Sequence, residues 1–155
     1  MTASLLFINP KFSSNVGTMA RNAELFGFDK LYVSQPERTG GHIGATDTAK
    51  SFRRIGEFVW DEIGLISSMR DSGHKIIAIE LEDDATDVTT FDHPEDALYI
   101  IGSEDKGISR DILDIADETI VIPAYKQWSF NAADSATIIM YDRYAKSHLL
   151  SSFVG

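Results

Sequence analysis

The sequence predicts an α/β protein with a mostly parallel sheet that carries helices on both faces. Short apolar runs, such as residues 75–81 (KIIAIEL) and 97–101 (ALYII), are typical of strands that are buried on both faces. Stretches with apolar residues at helical spacing separate these runs, and this alternation favours strands joined by helical crossovers. No linker or internal repeat interrupts the pattern, so we expect a single domain over residues 1–155.

The composition of the chain excludes several classes of protein. Of its 155 residues, 43% are hydrophobic and 25% are charged, which is ordinary globular usage. No apolar run approaches the roughly 20 residues that a membrane span needs, and the first ten residues do not read as a secretory signal. The chain contains no cysteine, which excludes thiolate metal sites and thiol nucleophiles. We therefore expect a cytoplasmic protein with no membrane partner.

The charge of the chain is strongly acidic. Lys plus Arg is 14 and Asp plus Glu is 24, so the formal net charge is −10. A nucleic-acid binder normally shows a basic footprint, yet a local basic patch can exist within an acidic chain. Lys50, Arg53 and Arg54 form such a cluster, and clusters of this kind are most often solvated surface.

The first half of the chain predicts two strands and two helices. We expect a strand over residues 5–8, a helix that Ser14 or Asn15 caps and Gly27 ends, and a strand over residues 30–33. Residues 35–47 are rich in glycine and polar side chains and predict a long loop. A helix follows over residues 60–71.

The second half predicts three strands, over residues 75–81, 97–101 and 119–122, with helices over residues 109–116 and 131–149. The four histidines, His42, His74, His93 and His148, are scattered along the chain. Because they share no metal-ligand spacing, we expect surface positions for them and no metal site.

Polar and glycine-rich segments follow several of the predicted strands. Ligands of open parallel sheets bind beyond the carboxyl ends of the strands. Residues 102–107 (GSEDKG) place a carboxylate between two glycines, and residues 129–131 (SFN) supply a hydroxyl, an aromatic ring and an amide. Asn15, Gly17 and Arg21 lie on the first predicted helix, where an arginine on an apolar face needs a carboxylate or a phosphate.

Each of these segments also has a purely structural interpretation. Gly102 and Gly107 could be turn glycines, Ser129 and Asn131 could be helix caps, and Arg21 could pair with a carboxylate. The chain has no Walker loop, no dinucleotide glycine motif and no nucleophile elbow. The residues alone therefore predict an α/β ligand binder with a site after residue 101.

Three segments taken in order carry a family resemblance: residues 9–33 (NPKFSSNVGTMARNAELFGFDKLYV), 98–109 (LYIIGSEDKGIS) and 120–143 (IVIPAYKQWSFNAADSATIIMYDR). They resemble the SpoU/TrmH branch of the SPOUT methyltransferases. The family's N-x-G…R, G-S-E-x-x-G-[LI]-S and I-P…S-[LM]-N motifs occur here in the family order and across essentially the whole chain. Phe130 stands where Leu or Met is usual, and Ala124 replaces the usual Met.

The resemblance implies an RNA methyltransferase that uses S-adenosylmethionine, yields S-adenosylhomocysteine and modifies a ribose 2′-hydroxyl of tRNA or rRNA. It also implies a trefoil knot in the C-terminal half and a homodimer whose partner brings substrate residues to each cofactor. Two alternatives stay open: a non-catalytic cofactor- or RNA-binding module of the same fold, and methylation of a non-ribose acceptor.

The family motifs assign roles to matching residues of this chain. The resemblance implies catalytic roles for Asn15, Arg21, Glu104, Ser129 and Asn131. It implies cofactor contacts for Ile79, Glu80, Gly102, Ser103, Gly107, Ile122, Ser129 and Phe130. An ordinary arginine stays protonated, so we interpret Arg21 as a phosphate clamp and oxyanion stabiliser.

The final predicted helix has more apolar surface than one sheet face needs. Its apolar residues include Ile138, Ile139, Met140, Tyr141, Tyr144 and Leu149. We expect this helix to pack against its two-fold mate in a dimer.

Overall fold

The computed structural model describes residues 2–126 and 128–154. Its strands are β1 (Ala3–Ile8), β2 (Lys30–Ser34), β3 (Gly56–Val59), β4 (Lys75–Ile79), β5 (Thr86–Asp87), β6 (Ala97–Ile101) and β7 (Glu118–Val121). Its helices are α1 (Ser13–Leu25), α2 (Phe52–Ile55), α3 (Glu62–Asp71), α4 (Arg110–Ile115) and α5 (Ala132–Val154).

The strands form one seven-stranded sheet in the order β3-β2-β1-β6-β4-β7-β5. Every strand pairing among the described residues is parallel. The two central strands, β1 and β6, are buried along their whole length, which explains their continuous apolar sequences. Because the strands are parallel, the carboxyl ends of β1, β6, β4 and β7 lie along one edge of the sheet.

Helices cover both faces of the sheet. Alternate residues of β1 point to opposite sides: Leu5 and Phe7 join the core under α1 and α5, and Leu6 joins the core under α3 and α4. The predicted α/β class with a parallel, doubly covered sheet is confirmed, and the trefoil knot stays a prediction. None of the helices in the described residues is both long and apolar enough to cross a membrane.

Several predicted element boundaries are wrong for local reasons. The helix expected from residue 60 begins at Glu62, because the Asp61 carboxylate caps it by accepting from the Gly64 N–H at 2.8 Å. The strand expected to residue 81 ends at Ile79. Helix α2 and strands β3 and β5 were not expected, since each is at most four residues long.

His93 contradicts the expectation that all four histidines lie at the surface. Its side chain is only 5% exposed, and its Nε2 lies 2.7 Å from an Asp142 oxygen of α5. A carboxylate can only accept, so Nε2 carries the proton and Nδ1 accepts from the Tyr99 hydroxyl at 2.7 Å. Burial lowers the pKa of His93 below its ordinary 6.5, although Asp142 opposes this shift.

Arg143 and Lys146 extend this network from α5 to the segment before β6. Arg143 is buried and donates to the Tyr99 hydroxyl at 3.1 Å and to the Glu95 carbonyl at 2.7 Å. Lys146 pairs with Asp142 at 2.8 Å. Burial raises the pKa of Tyr99 to about 12, so its hydroxyl stays neutral. The network fixes α5 against the sheet at the amino end of β6.

The pKa of His93 predicts a pH-dependent loss of stability. An unfolded chain binds a proton on this residue near pH 6.5, whereas the folded chain resists it, so stability falls as the pH falls below that value. We expect the free energy of unfolding of wild type to approach that of His93→Gln between pH 7.5 and 5.5 in urea titrations. A constant difference between the two proteins over this range would contradict the assignment.

Candidate functional site

The carboxyl edge of the sheet holds a cavity of about 310 Å³. Its wall comes from the loops that follow β4 and β6 and from the entrance of α5. Among the predicted site residues, it brings together Ile79, Glu80, Gly102, Ser103, Glu104, Gly107, Ser129 and Phe130. Ile122 lines a smaller adjoining cavity of about 60 Å³ with Ile79, Glu80, Ser129 and Phe130. The structure therefore gathers the predicted cofactor residues at one place.

The loop after β6 is a tight turn that glycines make possible. The Gly107 N–H donates to the Ser103 carbonyl at 2.9 Å, and Gly107 has a left-handed φ of +64°. A Cβ on Gly102 would lie 2.2 Å from the Gly107 carbonyl carbon. The turn itself therefore favours glycine at both positions, because the loop's own backbone fills the space that a Gly102 side chain would occupy.

Glu80 connects the loop after β4 to this turn. One carboxylate oxygen accepts from the Leu81 N–H at 2.9 Å, and the other accepts from the Ile108 N–H at 3.0 Å. A Cβ on Gly107 would lie 2.6 Å from that second oxygen. Glu80 therefore lines the cavity and also connects the loop after β4 to the loop after β6 through its hydrogen bonds.

Glu104 links the first and second motif segments. Its carboxylate accepts from the Lys11 N–H at 2.9 Å, the Phe12 N–H at 3.0 Å and the Asn15 Nδ2 at 3.0 Å. Helix α1 begins at Ser13 with no side-chain cap, so the expectation that Ser14 or Asn15 caps it is wrong. Instead, Glu104 holds the approach to α1 from a distant loop.

Asn131 adds the third segment to this chain of hydrogen bonds. Its Nδ2 donates to Asn15 Oδ1 at 3.1 Å, and its Oδ1 accepts from the Ala133 N–H at 2.9 Å at the start of α5. Asn131 is therefore both a helix cap and a partner of Asn15, which is 7% exposed. We name Glu104, Asn15 and Asn131 the motif junction, because they join all three motif segments.

Arg38 is a site residue that the sequence did not reveal. It lies in a short 3₁₀ turn after β2 and binds both carboxylate oxygens of Asp105, at 2.8 and 3.0 Å. It also donates to the Asn9 carbonyl at 2.7 Å. This guanidinium holds the pKa of Asp105 well below its usual range. Asn9, just after β1, has a left-handed φ of +47°, so Arg38 fixes a strained corner beside the cavity loop.

Arg21 does not reach this cavity. It lies on the exposed side of α1 in a separate cleft of about 430 Å³, lined by Thr18, Arg21, Asn22, Leu25, Thr46 and Thr48. Helix α1 is regular from Ser13 to Leu25 and holds Arg21 in this outward position, away from the residues that line the main cavity. Within residues 2–126 and 128–149, no hydrogen bond or ion pair holds its guanidinium.

The chemistry of the main cavity suits a ligand with both apolar and polar parts. Ile79, Ile101 and Phe130 supply apolar surface, and Ser103, Asp105 and Ser129 supply polar groups. The Ser129 hydroxyl has no hydrogen-bond partner in the described part of the chain. Among those same residues, no group of three or more His, Asp or Glu side chains could hold a metal ion.

A parallel sheet with three polar segments joined at its carboxyl edge places the chain in a class of ligand-binding α/β proteins. Comparison with known families makes the assignment specific. The model of the SpoU rRNA Methylase family matches residues 3–141, and the chain belongs to this family.

Individual relatives agree with the family. The chain is 26% identical over 136 residues to the tRNA (guanosine(18)-2′-O)-methyltransferase of Aquifex aeolicus, covering 86% of this chain and 64% of that protein. The A. aeolicus TrmH/SpoU tRNA modifying enzyme superposes with a TM-score of 0.86 at 24% identity, over 96% of this chain and 77% of that one, which is evidence of fold.

A second solved structure is named with a cofactor. The SpoU methyltransferase AviRb from Streptomyces viridochromogenes, in complex with AdoMet, has a TM-score of 0.79 and 25% identity, over 95% of this chain and 58% of that chain. The chain spans less than two thirds of the length of the first curated relatives it matches.

The motif junction predicts the effect of removing one charge. Glu104→Gln replaces one accepting oxygen with an amide donor, so one of the three N–H groups loses its acceptor. We expect a loss of about 1–3 kcal/mol of unfolding free energy in urea titrations. The matched control is Glu118→Gln on β7, whose exposed side chain makes no hydrogen bond in the described residues. Equal stability of both variants would contradict this account.

Proposed function

We propose that the chain is an S-adenosylmethionine-dependent methyltransferase that acts on a ribose 2′-hydroxyl of tRNA or rRNA. The observation that carries the proposal is the motif junction, which joins the three family segments at the edge of one cavity. The names of the Aquifex relative and of the AdoMet complex of AviRb support it. Since RNA is the proposed substrate, we place the activity in the cytoplasm.

The main cavity has the features that this cofactor requires. Phe130 and Ile79 offer apolar walls to an aromatic base, and the free Ser129 hydroxyl offers a hydrogen bond to a polar group. When bound there, S-adenosylmethionine supplies a methyl group on a positively charged sulfur, and S-adenosylhomocysteine is the product. Glu80, Gly102, Ser103, Gly107 and Ile122 complete the proposed binding wall.

The residues around the cavity have different roles in the proposed reaction. Glu104 already accepts three hydrogen bonds, so it holds the site's shape and has little capacity to take a proton. The side-chain amides of Asn15 and Asn131 are likewise occupied by their hydrogen bond to each other. Much of the rate acceleration then comes from holding the acceptor 2′-hydroxyl in the correct orientation to the methyl donor. The 2′-hydroxyl proton leaves to water or to a substrate phosphate, and Arg21, which stays protonated, stabilises the charge that develops on the 2′-oxygen.

Arg21 can serve this reaction if a second copy of the chain brings it there, since it does not line its own chain's cavity. We therefore propose a homodimer that pairs the α1–α5 faces. Four apolar side chains on that face are substantially exposed: Leu25, Tyr141, Tyr144 and Leu149. Phe26 of the α1 end packs against both tyrosine rings. Ile139 and Met140, also expected at the interface, are instead fully buried in the core.

Arg21→Ala tests the proposed reaction in an assay of tritiated S-adenosylmethionine with total tRNA and with total rRNA. We expect label on 2′-O-methylated nucleosides with wild type. The variant should transfer methyl groups at least about a hundredfold more slowly, because one charge-stabilising donor is worth on the order of 3 kcal/mol. Arg21→Lys should restore little of the lost methyl transfer, since the lysine ammonium lacks the planar set of donors of a guanidinium.

The controls separate this function from its alternatives. Lys75→Ala removes an exposed cation at the opposite edge of the sheet and should leave transfer unchanged. Calorimetry should show equal affinity of wild type and Arg21→Ala for S-adenosylhomocysteine. Binding of that ligand without transfer to either RNA favours a non-catalytic module, and label on a base or on protein favours another acceptor.

Mixed dimers test whether the partner supplies Arg21. Phe130→Glu places a carboxylate at an exposed cavity wall and should abolish cofactor binding in its own chain. In a heterodimer of Phe130→Glu with Arg21→Ala, the intact cavity of one chain meets the intact Arg21 of the other. One of the two sites is then complete, so the heterodimer should recover up to about half of wild-type activity. Light scattering should report a dimer for each protein. A heterodimer as inactive as its parents would place Arg21 and the cavity in the same chain.

A further inference from the structure

The cleft that holds Arg21 has a second wall, formed by residues 43–49, which we name the 43–49 segment. It contains Gly44 at a φ of +82°, and its first five residues belong to the loop that the sequence predicts over residues 35–47. Its contacts show that it is built against α1. A Cβ on Gly17 of α1 would lie 2.4 Å from Thr46 Oγ1 and 2.6 Å from the Ile43 carbonyl oxygen. Glycine at position 17 therefore allows the segment to lie directly on the helix.

Hydrogen bonds fix the segment at three points. The Thr46 hydroxyl donates to the Ser14 carbonyl of α1 at 2.7 Å. The Asp47 carboxylate accepts from the N–H groups of Ser51 and Phe52, both at 2.8 Å. Arg54 donates to the Ala49 carbonyl at 3.0 Å while its Nε donates to Glu24 of α1 at 2.9 Å. The segment is thus a fixed wall one helical turn from Arg21.

Of the polar side chains that line the cleft, Asn22 and Thr46 are hydrogen-bonded, whereas three others are free among the described residues. In the part of the chain that the structure describes, neither the Thr18 hydroxyl nor the Thr48 hydroxyl makes a hydrogen bond, and Arg21 is unpaired. A guanidinium and two hydroxyls are suitable donors for phosphate and ribose oxygens. They line one open volume of about 430 Å³.

The charge beside the cleft is positive in an otherwise acidic chain. Lys50 and Arg53 follow the segment directly, are exposed and form no ion pair with described residues. The nearby carboxylates of Glu24 and Asp47 are both engaged, by Arg54 and by backbone N–H groups. The basic cluster that the sequence suggested as ordinary surface therefore borders the Arg21 cleft.

We propose that this cleft binds the sugar–phosphate backbone of the substrate RNA next to the acceptor ribose, with Thr18 and Thr48 as binding residues. Arg21 contacts a phosphate, the two hydroxyls donate to phosphate or ribose oxygens, and Lys50 and Arg53 neutralise the phosphates that follow. This inference rests on the proposed function. It explains how a chain of net charge −10 concentrates positive charge where RNA has to bind.

The double variant Thr18→Val, Thr48→Val removes both hydroxyls and keeps the shape of the side chains. We expect KM for RNA to rise at least about tenfold, because each lost hydrogen bond is to a charged or strongly polar oxygen. The kcat and the affinity for S-adenosylhomocysteine should stay near wild type. Thr86→Val on the edge strand β5 is the matched control and should leave KM unchanged.

Salt dependence separates the roles of hydroxyls and cations. Binding of labelled total tRNA should weaken as salt rises, with a slope set by the number of phosphates neutralised. Lys50→Gln with Arg53→Gln should reduce that slope by about 1.4–1.8, on the basis of roughly 0.7–0.9 for each phosphate. The threonine variant should weaken binding with the slope unchanged.

The outcomes distinguish this inference from the proposed function. Methyl transfer by wild type together with an unchanged KM in the threonine variant overturns the inference and leaves the function standing. Failure of wild type to transfer to either RNA overturns both. Thr48→Val alone, at an exposed position, serves as the second variant if the double variant is unstable by thermal unfolding.

Discussion

The carboxylate of Glu104 is the interaction on which the site depends. It takes hydrogen bonds from two backbone N–H groups before α1 and from the amide of Asn15, and Asn15 in turn receives one from Asn131. Asn15 is buried, so its amide is costly to leave unpaired, and both of its polar atoms are used in these hydrogen bonds. The start of α1, the turn after β6 and the start of α5 are thereby held in one arrangement.

This arrangement places two kinds of surface on different sides of the chain. The cavity of the motif junction lies beyond the strands, whereas the Arg21 cleft lies on the outer side of α1. Because α1 is anchored at its start by Glu104 and packs along α5, the distance between cavity and cleft is fixed within one chain. A reaction that needs both surfaces therefore favours assembly of two chains over movement within one.

The strength of local signals decides how much the sequence could predict. The sequence predicts the strand over residues 97–101 with the correct ends, because a buried apolar run meets a glycine there. Strand β3 (GEFV) lies at the edge of the sheet beside β2 and is half-buried, so its sequence carries no clear alternation. The pairing of Arg38 with Asp105 joins residues 67 positions apart in segments that look like ordinary loops. The direction in which the Arg21 side chain points depends on how α1 packs in the fold, and the spacing of residues in the sequence carries no information about that packing.

The pairing of surface arginines has a consequence for the approach of a polyanion. Arg38, Arg54, Arg70 and Arg110 each lie within 4 Å of a carboxylate, so the charge of these four side chains is offset locally. At physiological ionic strength, charges act over about 8 Å. In the proposed function, the acidic surface repels an incoming RNA, which is attracted where Arg21, Lys50 and Arg53 lie together near α1. Such a surface favours encounters in which the RNA backbone meets this cleft first.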